Sequence, residues 1–189
     1  LTIAVLIRRA LETPERTIAL ITPDRNLARR VAGELQRWEI TVDDSAGIPL
    51  AQTSWGIFMR LAAAAVSPDA GKEQILALLK NKLFAGGISK QQAARTAEKL
   101  DKILWRQNQE DADAFALLQT FQQLGSELSD LLALSQASLT RLLQAHIAFA
   151  EALAADDQIS GQQTLWCGDD GESGAAFIAD WLEKTDILG

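Results

Sequence analysis

The sequence predicts a mainly α-helical chain that opens with a small α/β portion, a parallel strand–helix–strand. Three observations carry that expectation. Residues 17–42 read as a short apolar run, an amphipathic stretch and a second short apolar run. After residue 50 the apolar residues recur almost throughout at the helical interval. No fixed-period repeat and no low-complexity linker interrupts the pattern.

The elements follow in order. Residues 1–11 place Ile3, Leu6, Ile7 and Leu11 at amphipathic spacing. Residues 17–21, TIALI, are too short for a helix and typical of a strand buried on both faces. Thr22-Pro23-Asp24 suits a helix start. Thr22 can cap, Pro23 lacks an N–H where none is needed, and Asp24 favours the positive end of the dipole. The helix is expected to run to about Trp38, with Leu27, Val31, Leu35 and Trp38 on one face and Arg25, Arg29, Arg30 and Arg37 around the rest. Residues 40–42 read as a second strand, followed by Asp43, Asp44 and a Gly47-Ile48-Pro49 turn. Strand, helix and strand in sequence make a βαβ-type unit. Two short strands alone do not hold a sheet, so further strands are expected as partners.

Helices are expected over 55–66, 73–84, 89–106, 112–124, 127–134, 139–155 and 173–184, and residues 164–166 read as strand-like. Ser89 is a plausible cap, and Ala93, Ala97, Leu100, Ile103 and Leu104 form one face of the third of these helices. The division is therefore an α/β portion, 1–50, and a helical region, 51–189.

The composition, 189 residues with 48% apolar and 23% charged, is that of a globular chain. No apolar run approaches the ~20 residues of a membrane-spanning helix. One cysteine (Cys167) forbids an internal disulfide, and with one histidine (His146) it cannot build a thiolate–imidazole zinc site. With no signal-peptide pattern, a cytoplasmic compartment is expected. Leu1 lies inside an amphipathic stretch with no cap before it, as expected of a piece cut from a longer polypeptide.

Charge is uneven. The net charge of −7 divides into +1 over residues 1–60, +4 over 61–106 and −12 over 107–189. A polyanion is repelled by the last third, so any contact with nucleic acid falls before residue 107. A solvated acidic surface or a subunit interface is the commoner meaning of such asymmetry.

Several chemistries are absent. A phosphate loop needs Gly-x-x-x-x-Gly-Lys-Ser/Thr, whereas the one Gly-Lys pair, Gly71-Lys72, precedes Glu73 and lacks the upstream glycine. A restriction-type metal nuclease needs Asp/Glu-x-Lys, and none of the seven lysines has an acid two positions before it. His146, among Leu142, Leu143, Ile147 and Phe149, suits a partly buried structural role better than a catalytic base. The Gly168–Gly174 stretch imitates a phosphate loop but carries Asp169, Asp170 and Glu172, whose charge disfavours phosphate and favours a helix N-terminus. No catalytic residue and no metal ligand is assigned.

The positive signals are the arginines of the first amphipathic helix and a second basic region, Lys72, Lys80, Lys82, Lys90, Lys99, Lys102 and Arg106. Either could touch a phosphate backbone, although a solvated face is the commoner role. The five tryptophans are dispersed, which fits core packing better than a base-stacking platform.

Residues 18–61, IALITPDRNLARRVAGELQRWEITVDDSAGIPLAQTSWGIFMRL, resemble part of the AddB family, the B subunit of helicase–nucleases in bacterial double-strand-break repair, in its alphaproteobacterial form. The specific parts are Thr22-Pro23-Asp24-Arg25, Leu-Ala-Arg-Arg-Val-Ala at 27–32, and Val42-Asp43-Asp44-Ser45-Ala46-Gly47 with Pro49-Leu50. Residues 76–83 (LALLKNKL), and Leu165-Trp166 before Gly168 and Gly171-Glu172, agree in order. Asn81-Lys82 stands where the family pattern has His-Pro. The resemblance implies the start of a second RecA-like helicase domain followed by a helical insertion. It implies an AddA-type partner subunit, DNA as substrate, and a parent complex using ATP and Mg, with no cofactor site in this stretch. Arg25 and Arg29 match the pattern and are the DNA-contact candidates; Asp43 and Asp44 match and suit a turn or cap.

Two functions are therefore expected to compete. One is a non-catalytic scaffold and DNA-contacting segment of such a helicase–nuclease. The other is a helical protein-interaction module whose acidic last third docks a basic partner and which binds no DNA. Neither spans a membrane.

Overall fold

A computed structural model describes residues 2–45, 47–106, 112–134 and 136–188. Among them lie nine α-helices and one 3-10 turn, so the protein is mainly helical as expected. The chain divides into two compact units, Leu1–Gly47 and Ile48–Gly189.

In the first unit α1 (Thr2–Leu11) packs on α2 (Arg25–Gln36). Ala4, Val31 and Leu35 are buried, with Ile3, Ile7, Leu27, Trp38 and Ile40 against them. The expected face of α2 is therefore the packed one. Leu6 and Leu11 of α1 are exposed instead. The cap of α2 is Asp24 rather than Thr22: its carboxylate accepts the N–H groups of Asn26 and Leu27 at 2.9 and 3.1 Å. Thr22 Oγ1 accepts the Asp24 N–H, one step outside. The helix ends in a Schellman pattern, with Ile40 N–H donating to Leu35 C=O (3.1 Å) and Glu39 N–H to Gln36 C=O (2.9 Å). Glu39 takes the left-handed φ of 61° this closure requires, and Ile40 packs back on Leu35.

The expected parallel sheet of 1–50 is not formed: the described residues contain no strand. Of the two expected strands, residues 17–21 and 40–42, residues 17–21 and 41–42 have backbone groups bonded to no described residue, and the Ile40 N–H donates to Leu35 in the helix closure. Expected to be buried on both faces, residues 17–21 are exposed, Ile21 at 94%. The physical reason is the one that made two strands insufficient. A strand is stable only when a neighbour about 4.8 Å away takes its N–H and C=O groups.

In the second unit a 3-10 turn (Leu50–Gln52) leads into α3 (Ser54–Val66). Thr53 caps α3, accepting the Gly56 N–H at 3.2 Å. Then come α4 (Lys72–Leu79), α5 (Lys90–Arg106), α6 (Ala112–Ala133), α7 (Leu139–Ala154), α8 (Gly161–Leu165) and α9 (Gly168–Leu188). α3 is the hub, touching α4, α6, α7 and α9. Its Trp55, Phe58, Met59 and Ala62 are buried in one core with Leu78, Leu100, Phe121, Phe149, Leu153 and Leu165.

Three boundaries differ from expectation. α4 stops at Leu79, not residue 84, because the Asn81 side chain accepts the Leu83 N–H (3.0 Å) and turns the chain. The helices expected at 112–124 and 127–134 are one, α6. Gly125 sits inside it because a Cβ there would lie 2.6 Å from Val66 Cγ1, so packing outweighs the ~1 kcal/mol cost of a helical glycine. Residues 164–166 are not strand-like: Thr164 and Leu165 end α8, and Trp166 is its cap. The Ser160 side chain accepts the Gln163 N–H at the start of that helix. A three-residue apolar piece has too little period to separate the two states.

Candidate functional site

The candidates are cationic, and the two units hold them separately. On α2, Arg25 is a clamp. Its guanidinium donates Nη1 and Nη2 to the two Asp44 carboxylate oxygens at 3.1 and 3.0 Å, and Nη2 to the Gly47 carbonyl at 2.9 Å. This planar fork ties the start of α2 to the chain 19 residues on. The turn expected at Asp44 is made by its backbone, the carbonyl accepting the Gly47 N–H at 2.9 Å, whereas the side-chain clamp lies outside that expectation. Arg8 of α1 lies over the Trp38 ring, 4.8 Å from its centroid. Arg37 pairs with Glu34 at 3.4 Å. Arg29 and Arg30 are exposed and have no partner among the described residues. Of the two sequence candidates, then, Arg25 is engaged within its own unit and Arg29 presents a guanidinium to solvent.

The second basic region is broken up by its own acids. Lys80 pairs with Asp101 and Lys99 with Asp113. The side chains of Leu104, Trp105 and Arg106 lie outside the described residues.

The stretch imitating a phosphate loop has other work. α9 begins at Gly168, five residues ahead of the expected start, with Asp169 and Asp170 in its first turn. The Asp170 carboxylate accepts the Ser54 N–H (3.3 Å) at the start of α3. Gly171 and Gly174 are packing positions, where a Cβ would lie 2.6 Å from the Trp166 carbonyl carbon and 2.4 Å from the Trp55 ring. Gly71-Lys72 likewise opens α4, the Gln74 side chain accepting the Gly71 N–H at 2.9 Å.

His146 is structural. Its Nε2 donates to the Met59 carbonyl at 2.9 Å, which requires a hydrogen on Nε2, as in that neutral tautomer and in the imidazolium alike. Burial pushes its pKa below the ordinary 6.5, and the bond to Met59 only partly opposes this. A depressed pKa of a basic group means that the unfolded chain binds the proton first. The stability is therefore complete above about pH 6.5 and falls as the pH drops below it. We expect the thermal midpoint to decline between pH 7.5 and 5.5 in the native chain and less in His146→Gln. Equal declines in calorimetry would remove His146 as the cause.

Of the tryptophans, Trp55 is core and Trp38 and Trp166 are partly buried. Trp181 departs from the expected core role: it is 41% exposed and lies on Phe177 with centroids 5.7 Å apart. Among the described residues no three His, Cys, Asp or Glu side chains are grouped to hold a metal, and no helix is long and apolar enough to cross a membrane.

Sequence reasoning did not find the Arg25–Asp44 clamp, although both residues had been singled out; opposite charges flanking one helix were the available signal. Compared with known proteins, the chain matches no family model, no curated protein and no solved structure.

Proposed function

We propose that the chain is a non-catalytic scaffold and DNA-contacting segment of an AddB-type subunit. With an AddA-type partner in the cytoplasm, that subunit would unwind and resect double-strand DNA breaks for recombinational repair. Residues 17–21 carry the reading. They are apolar on both faces, exposed, and bonded to no described backbone, immediately before a helix with free arginines. Such a run is a strand that wants a sheet supplied from elsewhere, and a helicase domain of the resembled family has one.

ATP and Mg, which the resemblance implies for the parent complex, do not fit the residues present. The only Gly-Lys start is capped by Gln74, and no described acidic cluster could hold the cation. No step is therefore assigned to this chain.

The test is fluorescence anisotropy with a labelled duplex. We expect weak binding, Kd about 10⁻⁴ to 10⁻⁶ M, with strong salt dependence. Arg29→Glu should weaken it ~3-fold or more and flatten the salt slope by about one contact. Arg25→Glu with Arg29→Glu should abolish it, the first change also opening the Asp44 clamp. Undiminished affinity in both variants would remove the arginine assignment.

One observation favours a second reading, the interaction module. The exposed Phe177–Trp181 pair lies on α9 beside Asp180 and Glu183, within the acidic last third. Exposed aromatics within an acidic stretch suit a basic apolar peptide, with Glu183 the acid available, since Asp180 is paired with Lys184 at 2.6 Å. That reading requires no duplex affinity at any salt.

A further inference from the structure

The first unit leaves two opposite charges unpaired, and they flank its unpaired run. Residues 17–21, TIALI, hold no charge, no proline and no glycine. They are exposed, and their backbone groups are bonded to no described residue. A lysine, a proline or a covering element, the usual guards of a strand edge, is missing here among the described residues. The run is delimited on both sides. Before it, Glu15 takes a φ of 61° and the Arg16 N–H donates to the Thr13 carbonyl at 3.4 Å. After it, Asp24 caps α2 through Oδ1, which accepts both cap bonds, while Oδ2 accepts none from a described residue. Arg16 and Asp24 are both exposed, and no ion pair among the described residues uses either.

We propose that residues 17–21 pair antiparallel with the same residues of a second copy of this chain. A two-fold register centred on Ala19 sets Ile18 opposite Leu20 and Thr17 opposite Ile21, each twice, and places Arg16 of each copy diagonal to Asp24 of the other. Parallel pairing in register would instead set Arg16 on Arg16 and Asp24 on Asp24, which is repulsive. The antiparallel arrangement uses one patch on both copies and closes as a dimer. With both Arg16 and both Asp24 then neutralised, a third copy finds no opposite charge at the ends of the run. The wider charge distribution agrees. Residues 107–189 carry −12 and repel their counterparts, whereas residues 1–60 carry +1, so two copies approach most easily through the first unit. The proposal rests on the unpaired run used above, not on the family resemblance, and goes beyond the DNA-contacting reading.

The test is sedimentation equilibrium of the full chain, loaded from about 10 µM to 1 mM, the range of a weak association. The weight-average mass should rise from 20.5 kDa towards twice that value. Ile21→Lys, at a side chain 94% exposed in the single copy, and Arg16→Glu should each weaken the dimer about 5-fold or more, because symmetry removes two cross-strand contacts per substitution. Circular dichroism should show unchanged helix content in both. Disulfide trapping in a Cys167→Ser background reads the register. Ala19→Cys lies on the two-fold axis, its Cα about 4.5–5.5 Å from its counterpart, and should cross-link under mild oxidation. Thr17→Cys faces Ile21 of the other copy and should not. A single-chain mass at every loading, a dimer untouched by either charge variant, growth beyond two copies, or cross-linking at 17 as readily as at 19 would each overturn the proposal. A monomer that binds the duplex would overturn the pairing alone, and a dimer without duplex affinity would overturn the helicase–nuclease reading alone.

Discussion

Gly161→Ala is expected to destabilise the helical unit by roughly 3 kcal/mol or more, the upper end of what overpacking costs. In a unit of this size that is a fall in Tm of roughly 6–12 °C. Gly161 is the first residue of α8, and a methyl there would lie 1.6 Å from the Glu151 carbonyl oxygen and 2.5 Å from its carbon. Both atoms are backbone of α7, and the same carbonyl already accepts the Ala155 N–H at 3.0 Å. α8 cannot retreat cheaply, because the Glu151 carboxylate holds it by accepting from Trp166 Nε1 (2.7 Å) and Gln162 Nε2 (3.2 Å). The control is Gly33→Ala in mid-α2, where nothing lies within 4 Å of the new methyl. There helix propensity alone acts, and the change should stabilise by about 0.5–1 kcal/mol. Thermal unfolding followed by circular dichroism reads both; an unchanged Tm in Gly161→Ala would mean that α8 does not pack on α7 as described.

The same glycine shows which features of this fold sequence reasoning could reach. Helix positions were legible wherever an apolar stripe was long. Leu27, Val31 and Leu35 of α2, and Ala93, Ala97 and Leu100 of α5, pack as their spacing requires. A glycine on average marks a stop or turn. Gly125, Gly161 and Gly174 have another role, since each admits a neighbour to a place a Cβ would occupy. That neighbour comes from far along the chain, so no local window contains the information. The strand expected at 17–21 failed differently. Its apolar composition suits a strand, but strand formation is a property of pairs, and no described residue supplies the second member, so none forms there.

The cationic sites divide along the same line. Counting charge located the basic stretches, yet the count could not tell which cations their own fold neutralises. Asp44 occupies Arg25, Asp101 occupies Lys80, and Asp113 lies on Lys99. What is left exposed and without an ion pair among the described residues, Arg29 and Arg30 in one unit and Lys72, Lys82 and Lys102 in the other, is a smaller set than the sequence offers. The acids of the last third were similarly legible as a sum but not as individuals: Asp170 accepts the first N–H of α3, beside its Thr53 cap, and Glu151 clamps α8.

Trp55 gives the second large effect, and a contrast between two substitutions that isolates its cause. The side chain is 5% exposed, meets Trp166 at 5.9 Å between ring centroids, and lies on Gly174 of α9. Trp55→Ala should cost roughly 3–5 kcal/mol, the transfer term plus a cavity lined by ring atoms that cannot close on it. Trp55→Phe should cost far less than its lost volume suggests. The Nε1–H of Trp55 is buried with no hydrogen-bond partner among the described residues, and leaving a donor in that state costs about 1–3 kcal/mol. Phenylalanine removes the orphan donor together with part of the ring, and the two terms oppose. We therefore expect a net change within about 1 kcal/mol in urea unfolding, with an unchanged m-value. Were Trp55→Phe to cost as much as half of Trp55→Ala, the Nε1–H would have to be satisfied in solution by a bound acceptor, and the joint between α3 and α9 would hold a polar site.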